Sequence, residues 1–272
     1  MGESPTRPLP VSVLVALGVA VLSGCRRTED GEGADPLTDV SRSLSGGRNP
    51  STATETNRLS APARGTGTVE GTVRFVGEKI PTSTIVPVGA DAQYCGHEHS
   101  KEDWVIDAEH RVLRYAIVHL DGDDLDRWEQ TKPEYLLLDN KNCRFEPHAA
   151  VLTVGSTIEL HNSDEILHTA HAYFAATFNV ALPQPGASEK RVLSRPGIIQ
   201  IRCDNHGWMN SFIRVDRHPF HAVTDSEGRF RIVGVPAGTY TLEAWHERSG
   251  SQRREVTVRD RQTTKVDLTF AE

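Results

Sequence analysis

The chain has 272 residues, with 37 Asp and Glu against 30 Lys and Arg, a net charge of −7 at pH 7 and 37% hydrophobic residues. A mildly acidic chain with scattered acids is not built to bind nucleic acid, nor to sit on an anionic membrane through a basic patch. Four cysteines and 12 histidines are the side chains to be assigned to chemistry.

The N-terminal region carries Arg7, then a mostly apolar run from Leu9 to Leu22, then Leu22-Ser23-Gly24-Cys25. The run is shorter than the about 20 residues a membrane helix needs, and it suits an export signal. Its end resembles a bacterial lipoprotein lipobox, which implies cleavage after residue 24 and acylation of Cys25. Acyl burial contributes about 0.8 kcal/mol per methylene, so more than one chain makes a stable anchor. The resemblance implies a protein held by lipid in the bacterial cell envelope. Arg26 and Arg27 stand where an Asp would argue for retention, which in a Gram-negative cell fits the periplasm-facing outer membrane. Residues 25–65 are polar, rich in Ser, Thr, Gly and Arg, and without a hydrophobic period, so they are expected to be a flexible tether.

From residue 66 short alternating runs are punctuated by Gly, Pro, Asn and Asp, the pattern of strands and turns. Thr68–Phe75, Thr157–His161 and Thr239–Trp245 are clear examples, and the one modest helix candidate is Asp123–Gln130. The expected class is all-β, with β-sandwich architecture. Asp225-Ser226-Glu227-Gly228 and Pro236-Ala237-Gly238 make turns before strands. That stretch resembles the carboxypeptidase regulatory-like family, a small transthyretin-like sandwich, and residues 67–77 look like the family's opening strand. The expected organisation is one discontinuous sandwich, residues 66–133 and 218–272, with residues 134–217 inserted as a second domain. Three consecutive small β modules are the alternative.

Within the inserted stretch, Cys203-Asp204-Asn205-His206-Gly207-Trp208-Met209 follows a strand, and His168 stands upstream after Asn162-Ser163-Asp164. A thiolate, two imidazoles and a thioether form the donor set of a blue-copper site, because soft sulfur suits Cu(I) and imidazole serves both oxidation states. Phe145-Glu146-Pro147, Val154-Gly155-Ser156, Pro196-Gly197 and the Cys-x-x-His-x-x-Met spacing together resemble the cupredoxin family, a Greek-key β-sandwich, and most of all its amicyanin- and plastocyanin-like members. The resemblance implies one type-1 copper held by His168, Cys203, His206 and Met209, with the exposed edge of His206 and the neighbouring Trp208 as the electron port. His171 is the rival for the His168 position. Thr169 departs from the family, which commonly has an Asn there to bond into the ligand loop. His148 and His161 replace positions that are often apolar.

With Cys25 assigned to lipid and Cys203 to copper, Cys95 and Cys143 remain, and an exported compartment permits a disulfide between them. A second metal site at Cys95-Gly96-His97-Glu98-His99 is the alternative. No nucleophile elbow, paired-carboxylate motif or open three-histidine cluster is present, so an enzyme is not expected. The leading expectation is a lipid-anchored carrier of single electrons between redox protein partners outside the cytoplasm. The alternatives are an envelope module binding a glycan or protein through the regulatory-like domain, and a copper storage or delivery protein.

Overall fold

The computed structural model describes residues 65–128 and 133–271. The signal run, Cys25 and the tether through residue 64 lie outside the described residues. The architecture is nearly all β, and two apolar cores organise it. No helix among the described residues is long and apolar enough to cross a membrane.

The first core lies between two sheets. Strand Gly67–Phe75 buries Val69, Val73 and Phe75 on one face. It pairs antiparallel with Arg229–Val235 and parallel with Thr263–Lys265 and Leu268–Phe270. The opposing sheet runs His221–Val223, Ile117–Asp121, Gly238–His246, Gly250–Val258 in spatial order. The turn into Arg229–Val235 is set by Asp225, whose carboxylate accepts the N–H groups of Glu227 and Arg229. Gly228 has φ of 66°, and a Cβ there would meet Val112 and the Val73 carbonyl at 2.7 and 2.8 Å, so no other residue fits without displacement.

The second core lies between a five-stranded and a four-stranded sheet. The five-stranded sheet runs Phe178–Leu182, His168–Phe174, Gly197–Arg202, Asn210–Asp216, Ala149–Thr153; the other runs Ser188–Val192, Thr157–Asn162, Tyr135–Lys141, Arg144–Glu146. Thr157–Asn162 buries every second residue, as a strand with one face on a core must. Ladder pairing among strands from 135 to 216 stays within this group. Ile117, Ala149 and Phe212 form a small apolar cluster joining the two sandwiches.

Two local findings differ from the sequence expectations. The helix candidate is a single 3₁₀ turn, Leu125–Trp128, with Leu125 as its only buried residue, because one apolar anchor cannot hold a longer amphipathic helix. Residues 129–130 of that candidate lie outside the described residues. Between the opening strand and Ile117–Asp121 stands an unanticipated ribbon, Ile85–Pro87 paired with Glu98–Ser100, enclosing the one-turn helix Ala92–Cys95.

Candidate metal centre

Strand pairing brings the donor residues together. Gly197–Arg202 runs antiparallel to His168–Phe174, with Arg202 opposite His171, so Cys203 and His168 emerge at the same end of the sheet. The loop beyond Cys203 folds back on itself. The Met209 N–H donates to the His206 carbonyl at 2.9 Å, and the Cys203 N–H reaches the Met209 carbonyl at 3.4 Å.

Three donor atoms converge there. His168 Nδ1 and His206 Nδ1 are 3.0 Å apart, and Cys203 Sγ lies 3.9 and 3.5 Å from them. His168, Cys203 and His206 are 0%, 3% and 2% exposed. The far nitrogen of each ring is already committed: His168 Nε2 donates to Asp164 Oδ2 at 2.9 Å and His206 Nε2 to Asp91 Oδ2 at 3.0 Å. A proton on each Nε2 leaves both Nδ1 lone pairs, beside the sulfur, aimed at one point. Such a set is able to hold a cation. Bonds of about 2.0–2.3 Å to nitrogen and sulfur, as zinc makes, fit between atoms at these separations. Met209 is buried in the same core and its backbone is pinned on both sides.

The electrostatics favour a ligating thiolate. Burial alone would push the Cys203 thiol up, but in the metal-free site, where the Nδ1 atoms of His168 and His206 carry protons that a bound cation would replace, their hydrogen bonds and that of the Thr169 N–H outweigh burial and bring the pKa down to about 5. Burial opposes charge on His206 as well, yet the Cys203 sulfur and the Asp91 carboxylate push its pKa up. Ionised sulfur at neutral pH is what a soft cation needs.

The surrounding residues explain the local motif. Asp164, buried, accepts the N–H groups of Asn142 and Cys143 at 2.8 Å each while holding His168. Asn162 orients it, accepting the Asp164 N–H and donating to the carbonyls of Ile166 and Leu182. Thr169 takes up the bridging that an Asn at this position was expected to supply. Its hydroxyl accepts the Asp204 N–H at 2.7 Å and lies 3.7 Å from Cys203 Sγ, to which its own N–H also points at 3.4 Å.

Other sequence candidates fall elsewhere. His171 points away from the cluster and bonds to Asp204 and Tyr173. His148 is buried against Tyr115 and Phe212 with its Nε2 on Glu247. His161 stands on Thr157–Asn162, outside the donor set. Cys95 and Cys143 are joined, with Cα atoms 5.7 Å apart, which takes Cys95 out of any metal site at residues 95–99. His99 donates to the Cys95 carbonyl and stacks on Trp208.

One expectation is corrected. His206 does not present an exposed edge: Asp91 covers its Nε2, and Trp208, 5% exposed, packs beside it with its own N–H on the Cys143 carbonyl. The ribbon over residues 85–100 occupies the space where the port was expected. Asp91 carried no sequence signal, since it stands 115 residues before His206 in a loop without a motif.

Comparison with known proteins gives two kinds of likeness. Residues 212–271 match the carboxypeptidase regulatory-like domain, beginning inside strand Asn210–Asp216. No curated protein matches in sequence. Among solved structures, the chain is similar to a purple cupredoxin from Nitrosopumilus maritimus, at 19% identity over 30% of this chain and 99% of that one, TM-score 0.27. A mutant amicyanin is similar at 19% identity over 32% and 87%, TM-score 0.26. A copper-containing nitrite reductase from Thermus scotoductus SA-01 is similar at 22% identity over 31% of this chain and 23% of that chain, TM-score 0.28.

Proposed function

We propose that this chain would hold one copper ion in the His168, Cys203 and His206 donor set, with Met209 as a fourth ligand, and carries single electrons between redox proteins outside the cytoplasm. Lipid on Cys25 holds it at the envelope membrane in this reading. The observation that carries it is the convergence of two Nδ1 atoms and one thiol sulfur in a buried site whose outer nitrogens are already bonded to carboxylates.

When bound, copper supplies a one-electron couple, Cu(II) to Cu(I), at a site whose geometry suits both states. The chain supplies the rest. Strand ends fix Cys203 and His168, Asp164 and Asp91 fix the two ring orientations, and Thr169 ties the first histidine's strand to the ligand loop. Preset ligands limit rearrangement between oxidation states, and the apolar core excludes water from the sulfur. With its ligands drawn from the chain's own buried residues, the site is read as an electron carrier.

Titration of the purified chain with Cu(II), followed by absorbance and electron paramagnetic resonance, tests this. An intense thiolate-to-copper band saturating at one equivalent, and missing in Cys203→Ser, supports it. A colourless titration, or a band that survives the substitution, refutes it.

A further inference from the structure

We infer that Asp91 is a positioning residue for His206, and that residues 85–100 form a cap, latched by Asp91 and by the Cys95 to Cys143 disulfide, which closes the imidazole edge to solvent and to redox partners. This rests on the copper reading of the site.

Several contacts shape the segment and hold it in place. Its two short strands pair with each other, and the Val88 N–H donates to the His97 carbonyl between them. Val86, Val88 and Cys95 pack against the core of the ligand-bearing sandwich. The disulfide joins the cap to the turn at Cys143, whose N–H is bonded to Asp164. The Tyr94 hydroxyl donates to Asp164 Oδ1 at 3.3 Å and accepts the Glu165 N–H at 3.1 Å, and the His99 ring lies parallel to Trp208 at 5.1 Å. Each of the two histidines is thereby connected to the cap, His206 through Asp91 and His168 through Asp164 and Tyr94.

Asp91 itself shows where the segment's purpose lies. It flanks the one-turn helix Ala92–Cys95 at the position where a carboxylate commonly accepts a helix N–H, yet makes no such bond. Its carboxylate reaches out of the cap to His206 Nε2. A carboxylate on the outer nitrogen fixes the ring and makes Nδ1 a stronger donor, which favours the oxidised ion. A redox partner meets the cap's outer face, where Gln93, His97 and Glu98 are exposed, before it meets His206.

The full chain as wild type, Asp91→Ala, Asp91→Asn, Cys95→Ser/Cys143→Ser and Gln93→Ala tests the inference by two readouts. In the metal-free protein, iodoacetamide labelling of Cys203 is followed by peptide mass spectrometry. Losing one latch is expected to raise the labelling rate about tenfold in Asp91→Ala, the cost of one hydrogen bond in a local opening, and by at least as much in the double serine variant, which loses the covalent tie. Asp91→Asn, which keeps an acceptor oxygen, falls between, and Gln93→Ala matches wild type. In the copper-loaded protein, Asp91→Ala keeps the blue band and shifts the reduction potential positive, whereas a residue that only packs leaves it in place. Labelling unchanged in both latch variants, labelling raised equally by Gln93→Ala, or a potential unmoved in Asp91→Ala overturns the inference. A wild type without a blue band, whose Cys203 labelling still responds as expected, refutes the copper reading and leaves the cap standing.

Discussion

The cluster of His168, Cys203 and His206 and the cluster of His119, Asp121 and Glu243 each bring three metal-capable side chains within reach of one another. They differ in where positive charge comes from. At His119 the chain provides its own cations: Arg214 donates to His119 Nδ1 at 3.3 Å and to Asp216 at 2.6 Å, and Arg253 donates to Glu243 at 2.7 Å. Arg214 thereby assigns the His119 proton to Nε2, which lies 3.9 Å from Glu243 and has no hydrogen-bond partner among the described residues. At Cys203 no guanidinium among the described residues bonds to the cluster, the outer nitrogens are bonded to acids, and the inner ones face a thiol. The same residue types make a structural ion network where arginines are interleaved, and a candidate metal donor set where they are not.

The largest effect that tests this contrast is on copper itself. His168→Ala should abolish the blue band and weaken copper binding by more than the about 10–100-fold typical of outer-sphere changes. His119→Gln should leave one equivalent bound with an unchanged spectrum. Loss of copper uptake in His119→Gln would break the distinction between the clusters.

Next in size is the network's own contribution to stability. Burial opposes ionisation of Asp216, but His221 and Arg214 outweigh it and hold its pKa down at about 2. Arg214→Met removes the permanent cation beside that carboxylate, leaving it to His221, and should cost about 3–5 kcal/mol near pH 7, read from urea midpoints. A depressed carboxylate stabilises above its unfolded pKa near 4 and loses that contribution as pH falls through about 2. The gap between wild type and Arg214→Met should therefore narrow across that window. A gap independent of pH would show that packing, not charge, is what the arginine provides.

His246 gives the smallest and sharpest test, since it is a buried histidine with neither a metal partner nor a bonded carboxylate. Burial, then repulsion from His148, lowers its pKa to about 4 despite the attraction of Asp103. Between pH 6.5 and 4 the unfolded chain binds this proton and the folded one does not, so stability falls as pH falls, by about 3 kcal/mol in all. His246→Gln should flatten that slope in pH-dependent denaturant midpoints. An unchanged slope would mean that His246 gains its proton without loss and that burial is not decisive here.

Much of this was legible along the chain, and the reasons are local. Period-two alternation at Thr157–Asn162 and Gly238–His246 reports a strand with one buried face, and turn chemistry at Asp225–Gly228 reports its neighbour. The Cys-x-x-His-x-x-Met loop carries its own spacing, and Asn162-x-Asp164 marks His168 because those side chains bond within a few residues. Asp91 was not legible, since its partner His206 is remote in sequence and no motif surrounds it; His99 stood out only within the cluster at residues 95–99, and its stacking on Trp208 is a product of the fold. Thr169 was visible as a departure from a pattern, but its replacement of the missing Asn is a matter of where a hydroxyl points.

The sequence by itself determined the all-β class and the residues able to hold a soft cation, because periodicity, turn residues and donor chemistry are local properties of the chain. Tertiary structure decided which of 12 histidines face a common point, which carboxylates set their tautomers, and that a disulfide-bound ribbon covers His206. Those outcomes depend on contacts between segments up to 115 residues apart, which no local pattern encodes.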